Sequence, residues 1–156
     1  MKYTFIIIIS FVVFSCQTPT SETSNELTAE EEQTAKALIQ GAFDDLWGGV
    51  DSTKISQYHT DDFIILENGE VWDNDRIKEY MRGQLQNPNR PKRINKMDYI
   101  AIDKYGDVIN IAYYNYAEFM QADSLVGEAS WLESAIAIPT EDGWRLKMMH
   151  STRMRR

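Results

Sequence analysis

Hydrophobic positions along the chain change their spacing twice, and each change marks a different kind of element. Ala35, Leu38, Ile39, Ala42, Phe43, Leu46, Trp47 and Val50 recur three and four residues apart, a stripe that predicts an amphipathic helix of about five turns. Its start is marked by Thr28 and Glu31, which are spaced as a capping box, and by Glu30, Glu31 and Glu32 at the positive end of the helix dipole. Gly48-Gly49 weakens its end, and Asp51 or Ser52 can cap a short second helix running to about Tyr58.

The spacing then shortens. Residues 63–66 form a brief apolar run, Asn68-Gly69 is the dipeptide that best fits a type I′ turn, and Val71-Trp72 follows, so a small hairpin is predicted. Asp73, Asn74 and Asp75 can cap a third helix whose Ile77, Tyr80, Met81 and Leu85 share a face, and the Asn-Pro-rich stretch 87–91 ends it. The rest reads as four strands, about 94–104, 107–121, 127–138 and 143–153, whose short connections favour an antiparallel meander. Simple alternation in the last strand puts Trp144, Leu146, Met148 and His150 on one face and Arg145, Lys147 and Ser151 on the other. The second long strand is apolar on both faces, with Val108, Ala112, Tyr114 and Tyr116 opposed to Ile109, Ile111, Tyr113 and Phe119. One face can pack on the helices, and the other calls for a cover, which a second copy of the chain would provide as a homodimer.

The first fifteen residues follow a different rule: Lys2, then an almost wholly apolar stretch, then Ser15 before Cys16. That is the layout of a signal peptide, and the apolar run is well short of the ~20 residues a membrane-spanning helix needs. Val13-Phe14-Ser15-Cys16 resembles the lipobox of bacterial lipoproteins, which implies cleavage before Cys16 and lipid on that residue. Cys16 is the only cysteine, so the chain cannot close an internal disulfide, and lipidation accounts for its odd thiol. Residues 17–27 are polar and too poor in apolar side chains to offset their own ordering entropy. They read as a tether of at most about 36 Å. The expected organisation is a leader at 1–15, a lipidated cysteine and linker at 16–27, and one folded domain at 28–156. The expected location is the cell envelope, facing the periplasm or the outer surface.

The formal charge is −8, and Lys2 is the only charged residue of the leader, so the exported part is more acidic still. Such a surface repels nucleic acid and anionic headgroups. Basic residues cluster at Arg90, Lys92, Arg93 and Lys96, and at Arg145, Lys147, Arg153, Arg155 and Arg156. With no glycine-rich loop beside them they read as a solvated strand face and tail rather than an anion site.

The order helix, short helix, hairpin, helix and four long strands over residues 28–153 resembles the nuclear transport factor 2-like superfamily, with its SnoaL-like and ketosteroid-isomerase-like branches. The stretches that carry the likeness are Tyr58-His59-Thr60-Asp61-Asp62-Phe63, Asn68-Gly69-Glu70-Val71 with a helix from about Asn74, and Gly143-Trp144-Arg145-Leu146-Lys147. The resemblance implies an α+β fold in which a cone-shaped, curved antiparallel sheet wraps around the long N-terminal helix and encloses a pocket, and it implies dimers. Members of that superfamily include isomerases, cyclases, dehydratases and proteins that only bind, so it speaks to architecture more than to function.

A pocket of that kind would be lined by Trp47, Tyr58, Phe63, Trp72, Tyr80, Tyr114, Trp131, Met148 and His150, walls that suit a flat or apolar small molecule. Aromatics at such spacings are also ordinary core. His150, or His59 with Asp61 as its orienting acid, are the candidates for proton transfer, against the plainer roles of core histidine and cap. Asp98, Glu118 and Glu133 are available acids and Tyr58 and Tyr114 available phenols, but none maps onto the isomerase pattern. Two histidines without a helix-borne spacing make a metal site unexpected, and no phosphate loop, nucleophile elbow or thiol of the folded domain offers a foothold for a cofactor. The features favour a tethered binding module. The alternatives are a cofactor-independent lyase or isomerase with His150 or a pocket carboxylate as base, and an envelope scaffold for a protein partner.

Overall fold

A computed structural model describes residues 26–155, so the leader, Cys16 and most of the expected tether lie outside the described residues. Helix α1 runs Ala29–Ala42 and begins as the sequence predicts, with Thr28 as N-cap and both halves of the capping box formed with Glu31. Leu27, expected in the tether, packs against the edge of the core. The helix does not continue evenly to Val50. From Phe43 to Gly48 it widens to a π-helical turn, with the Gly49 amide donating to the Asp44 carbonyl five residues back at 2.7 Å. Val50 then takes a positive φ of 58°, which is strained for a β-branched residue, and is held in the core despite it. The widened turn keeps Phe43 and Leu46 buried while swinging Trp47 to the core's margin.

A turn of 3₁₀ helix at Ser52–Lys54, capped by Asp51, leads into α2, Ile55–Tyr58. Strands β1, His59–Glu67, and β2, Glu70–Asp73, form the predicted hairpin, with positive φ at both Asn68 and Gly69 as a type I′ turn requires. Helix α3, Asn74–Leu85, is capped by the Asp73 side chain on the Arg76 amide. It buries Ile77 and Met81, whereas Leu85, expected on the same face, is exposed at the helix end. Strands β3, Lys92–Tyr105, β4, Val108–Gln121, β5, Ser124–Thr140, and β6, Gly143–Arg153, make the antiparallel meander.

The six strands form one curved, unclosed sheet in the order β2-β1-β6-β5-β4-β3. It is mixed rather than wholly antiparallel, because the first hairpin docks on the far side of the meander and β1 runs parallel to β6. The helices before β1 and between β2 and β3 lie against one face, where Ile39, Leu46, Phe63, Ile65, Ile77, Ile109, Ile111, Tyr113, Leu146 and Met149 make the core. Among the described residues no helix is long and apolar enough to cross a membrane.

One irregularity decides which side chains enter the interior. In the pairing of β5 with β6, Ala137 faces Leu146 but its neighbour Ile136 faces Met148, so Lys147 is an extra residue on β6, a β-bulge. The bulge inverts the alternation: Leu146 points inward before it, Met149 and Ser151 point inward after it. Met148 and His150 therefore lie on the opposite face from Leu146, which corrects the simple period-two reading of this strand. Both faces of β4 are apolar as read, with Ile109, Ile111 and Tyr113 buried and Ala112, Tyr114 and Tyr116 on the outer side.

Candidate functional site: an aromatic cavity with a buried acid and an arginine

A cavity of about 180 Å³ lies between the helices and the inner face of the sheet. Its wall is a chain of aromatic contacts built from three separate elements. Phe43 meets Trp47 at 6.2 Å between ring centres, Trp47 meets Tyr80 of α3 at 5.7 Å, and Tyr80 meets Trp72 of β2 at 5.5 Å. Trp131 of β5 completes the lining, with Ile65, Glu67, Asn68, Arg93, Glu133 and Ser151. A smaller chamber of about 140 Å³ shares Trp47, Tyr80, Arg93 and Trp131 and extends toward Arg90 and Gln84.

The floor is polar. Glu133 is only 5% exposed. It accepts hydrogen bonds from Ser151 Oγ at 2.9 Å and Asn115 Nδ2 at 3.2 Å, and the Tyr113 hydroxyl approaches it without closing a bond of normal geometry. These partners are its neighbours on adjoining strands, since Glu133 is in register with Tyr113 on β4 and with Ser151 on β6. Burial raises the Glu133 pKa to about 7, against the pull of Ser151, Asn115, Tyr113 and the Arg93 charge. Glu67, half-buried on β1 and in register with Ser151, is raised as well, again chiefly by burial. The Tyr113 phenol is pushed well above its usual range by burial and then by Glu133.

Arg93 brings a positive charge to the same cavity. Its Nε donates to Asn95 Oδ1 at 2.8 Å, and its guanidinium lies 4.7 Å from the centre of the Trp131 ring, 5.8 Å from Phe43 and 6.0 Å from Phe119. Among the described residues it forms no ion pair. The indole Nε1 of Trp47 is buried without a protein partner and is closed off from the cavity that the ring lines.

Of the residues expected to line a pocket, Trp47, Trp72, Tyr80 and Trp131 are brought together here. Phe63 is instead deep core, stacked on His59 at 3.7 Å. Tyr58 turns away to donate to Asp45 Oδ2 at 2.5 Å, and burial followed by that bond pushes its pKa up to about 12. Tyr114, Met148 and His150 lie on the outer face of the sheet, the last two because of the bulge at Lys147.

His59 and Asp61 line a different, polar recess of about 330 Å³ beside the start of α3. His59 is 3% exposed and pairs through Nδ1 with Asn74 Oδ1 at 2.9 Å, not with the Asp61 carboxylate. Because the Asn74 amide donates to the Thr60 carbonyl, its oxygen faces His59, so Nδ1 carries the proton and Nε2 is left as a buried lone pair. Burial lowers the His59 pKa to about 4, which makes it a neutral structural imidazole at physiological pH. Among the described residues no three potential metal-ligating side chains gather.

Glu133 was legible only as one of three available acids, and Arg93 only as part of a basic cluster, while nothing drew attention to Glu67 or Ser151 as lining or to Asn115 as a support of Glu133. A signal did exist. Arg93 and Asn95 share inward parity with Met97 and Tyr99 on β3, and Asn115 interrupts the inward series Ile111, Tyr113, Ala117 on β4. Polar side chains at core parity on adjoining strands point to a lined interior rather than to a solvated face. The basic cluster at 90–96 is accordingly divided: Lys92 and Lys96 are exposed, and Arg93 goes inside.

No protein-family model matches the sequence, and no curated protein matches it. The structure is nonetheless similar to several solved ones. Aln2 from a Streptomyces species superposes with a TM-score of 0.70 at 10% identity, over 81% of this chain and 93% of that one. A nuclear transport factor 2-like superfamily protein from Salmonella enterica gives 0.63 at 16% identity, over 80% and 91%. The CaMKII hub homology domain of Chlamydomonas reinhardtii gives 0.68 at 17% identity, over 80% and 98%. The chain has the nuclear transport factor 2-like fold, a curved sheet around a long first helix, as the resemblance of its sequence implied.

Proposed function

We propose that this chain is a small-ligand-binding domain, carried on the cell envelope by lipid on Cys16, that holds a flat molecule in the aromatic cavity. The observation that carries the binding reading is the aromatic wall itself. Phe43, Trp47, Tyr80 and Trp72 come from three elements and meet ring to ring along one wall of the cavity, while Glu133 and Ser151 offer a few convergent polar groups beneath them. Native mass spectrometry of the purified protein tests it, with a retained small molecule or saturable uptake of an aromatic probe expected. Uptake that is unchanged in Trp47→Ala and Trp72→Ala refutes it. The envelope address is tested separately: Cys16→Ser is expected to move the protein from the membrane fraction to the soluble fraction.

A second reading has its own observation. A carboxyl with a pKa near 7, hydrogen-bonded on the floor of an apolar cavity, is poised to take and return a proton, so a cofactor-independent isomerase or lyase would use Glu133 as its base, not His150. Deuterium exchange at the α-carbon of a bound ketone such as α-tetralone, lost in Glu133→Gln, would support it, and exchange indifferent to that substitution would end it. Self-association is also proposed. Ile94, Ile100, Tyr116 and Leu132 leave the outer face of the sheet exposed and apolar, and solved hub domains share the fold.

A further inference from the structure

The charges inside the cavity say more about the ligand than its shape does. The faces of two of its aromatic rings already meet a cation of the protein itself: Arg93 lies 4.7 Å from the centre of the Trp131 ring and 5.8 Å from that of Phe43. A ligand cation would find those faces occupied and would have to lie against a guanidinium that cannot give up its proton. An anion meets the opposite situation. Arg93 spends only its Nε on a protein acceptor, leaving the terminal nitrogens of its fork without an acid. A guanidinium with free donors in a largely apolar cavity matches the two oxygens of a carboxylate.

We propose that the cavity binds a flat carboxylate, its two oxygens received side by side by the terminal nitrogens of the Arg93 guanidinium, with Glu133 remaining a neutral acid beside it. This rests on the binding reading above and names the chemistry of its ligand. The proton follows from the count of charges. Facing Glu133 are Arg93 from β3, Glu67 from β1, Tyr113 from β4 and the neutral Ser151 and Asn115, so the site holds one fixed positive charge and two carboxyls. A third carboxylate sharing that single guanidinium favours the protonated form of its neighbours, as in any close carboxylate pair. Binding and protonation are therefore linked, and each strengthens the other.

The test uses the purified full chain and three indoles that differ in charge: indole, indole-3-acetate and tryptamine, measured by calorimetry between pH 6 and 8. Indole-3-acetate is expected to bind at least about ten times more tightly than indole at pH 6, with tryptamine weakest. Arg93→Gln should bring the ratio of indole-3-acetate to indole affinity down to about one, a change of ratio that a general packing defect, which weakens both alike, would not produce. Above pH 7 the affinity for the acid should fall about tenfold per pH unit as one proton must be taken up. Glu133→Gln, which mimics the neutral acid, should bind the acid with little pH dependence. If indole binds and the carboxylate adds nothing, the carboxylate proposal is overturned and the aromatic cavity stands. If tryptamine binds best, the site is a cation cage and the proposal is equally overturned. If none of the three binds, the binding reading itself fails and takes the proposal with it.

Discussion

Two buried groups should give this protein an unusually flat dependence of stability on pH, and removing either one should uncover the other. His59 is driven from 6.5 to about 4 by burial, so below pH 6.5 the unfolded chain binds a proton that the folded one refuses. Its contribution to stability is complete above 6.5 and is lost as pH falls toward 4. Glu133 is driven the other way, from 4.5 to about 7, so the folded chain holds the extra proton and stability is lost as pH rises from 4.5 toward 7. Each displacement corresponds to about 3 kcal/mol over its full range, or about 1.4 kcal/mol per pH unit within it. Between pH 5 and 6.5 the two slopes oppose. Glu133→Gln should therefore gain roughly 2 kcal/mol of stability across that window relative to the parent's change, and His59→Gln should lose roughly 2 kcal/mol. Urea unfolding followed by tryptophan fluorescence at constant ionic strength measures this, with unchanged m-values as the control for two-state behaviour. Glu67, raised in the same direction as Glu133, is common to all three proteins and drops out of the differences. Asp45, Asp51 and Asp62 are held below their ordinary value by hydrogen bonds and titrate below the window. Parallel pH profiles for the parent and both variants would show that neither group is buried as described.

Three further outcomes follow from geometry. A Cβ on Gly41 would meet the Tyr58 ring at 2.8 Å, so Gly41→Ala should expel Tyr58 from its bond to Asp45 and destabilise by about 1–3 kcal/mol in urea titrations, whereas the double variant Gly41→Ala with Tyr58→Leu should recover part of that loss. Thr28→Ala removes one half of the capping box and should lower stability by about 1 kcal/mol, read from the same titrations. Leu132→Glu places a charge on the outer face where Leu132 is 45% exposed; sedimentation should show a smaller assembly than the parent with an unchanged circular dichroism spectrum.

The elements were legible because each carries a local signal. The capping box at Thr28, the Asn68-Gly69 turn and the Asp73 cap all sit where the sequence put them, and the apolar stripe of α1 faces the core. What was hidden depends on relations between distant segments. The parallel docking of β1 on β6 leaves no mark in either strand, and it makes the sheet mixed. The bulge at Lys147 carries no local sign either, and it moved Met148 and His150 out of the interior and brought Ser151 in. The widening of α1 at Phe43–Gly48 was hinted at by Gly48-Gly49 only as an ending. Much of the aromatic lining could be read, from Trp47, Trp72, Tyr80 and Trp131, because large rings at inward parity are conspicuous. Its polar floor could not, because a buried Arg93 or Glu133 looks in sequence like any other surface charge until its neighbours on the adjoining strands are known.

The strand order carries a mechanical consequence. Trp72 belongs to β2 and Arg93 to β3, the two free edges of the sheet, yet both line the same cavity. The gap between them is thus set by the bend accumulated across every strand between the edges, much as the opening of a clip is set by its spring. A guest that touches both jaws does work on the whole sheet, and anything that stiffens the back of the sheet changes how wide the jaws rest. If a second copy settles on the outer face, grip and assembly become two readings of one curvature, and a substitution on the face turned away from the guest, such as Leu132→Glu, can loosen its hold without touching it.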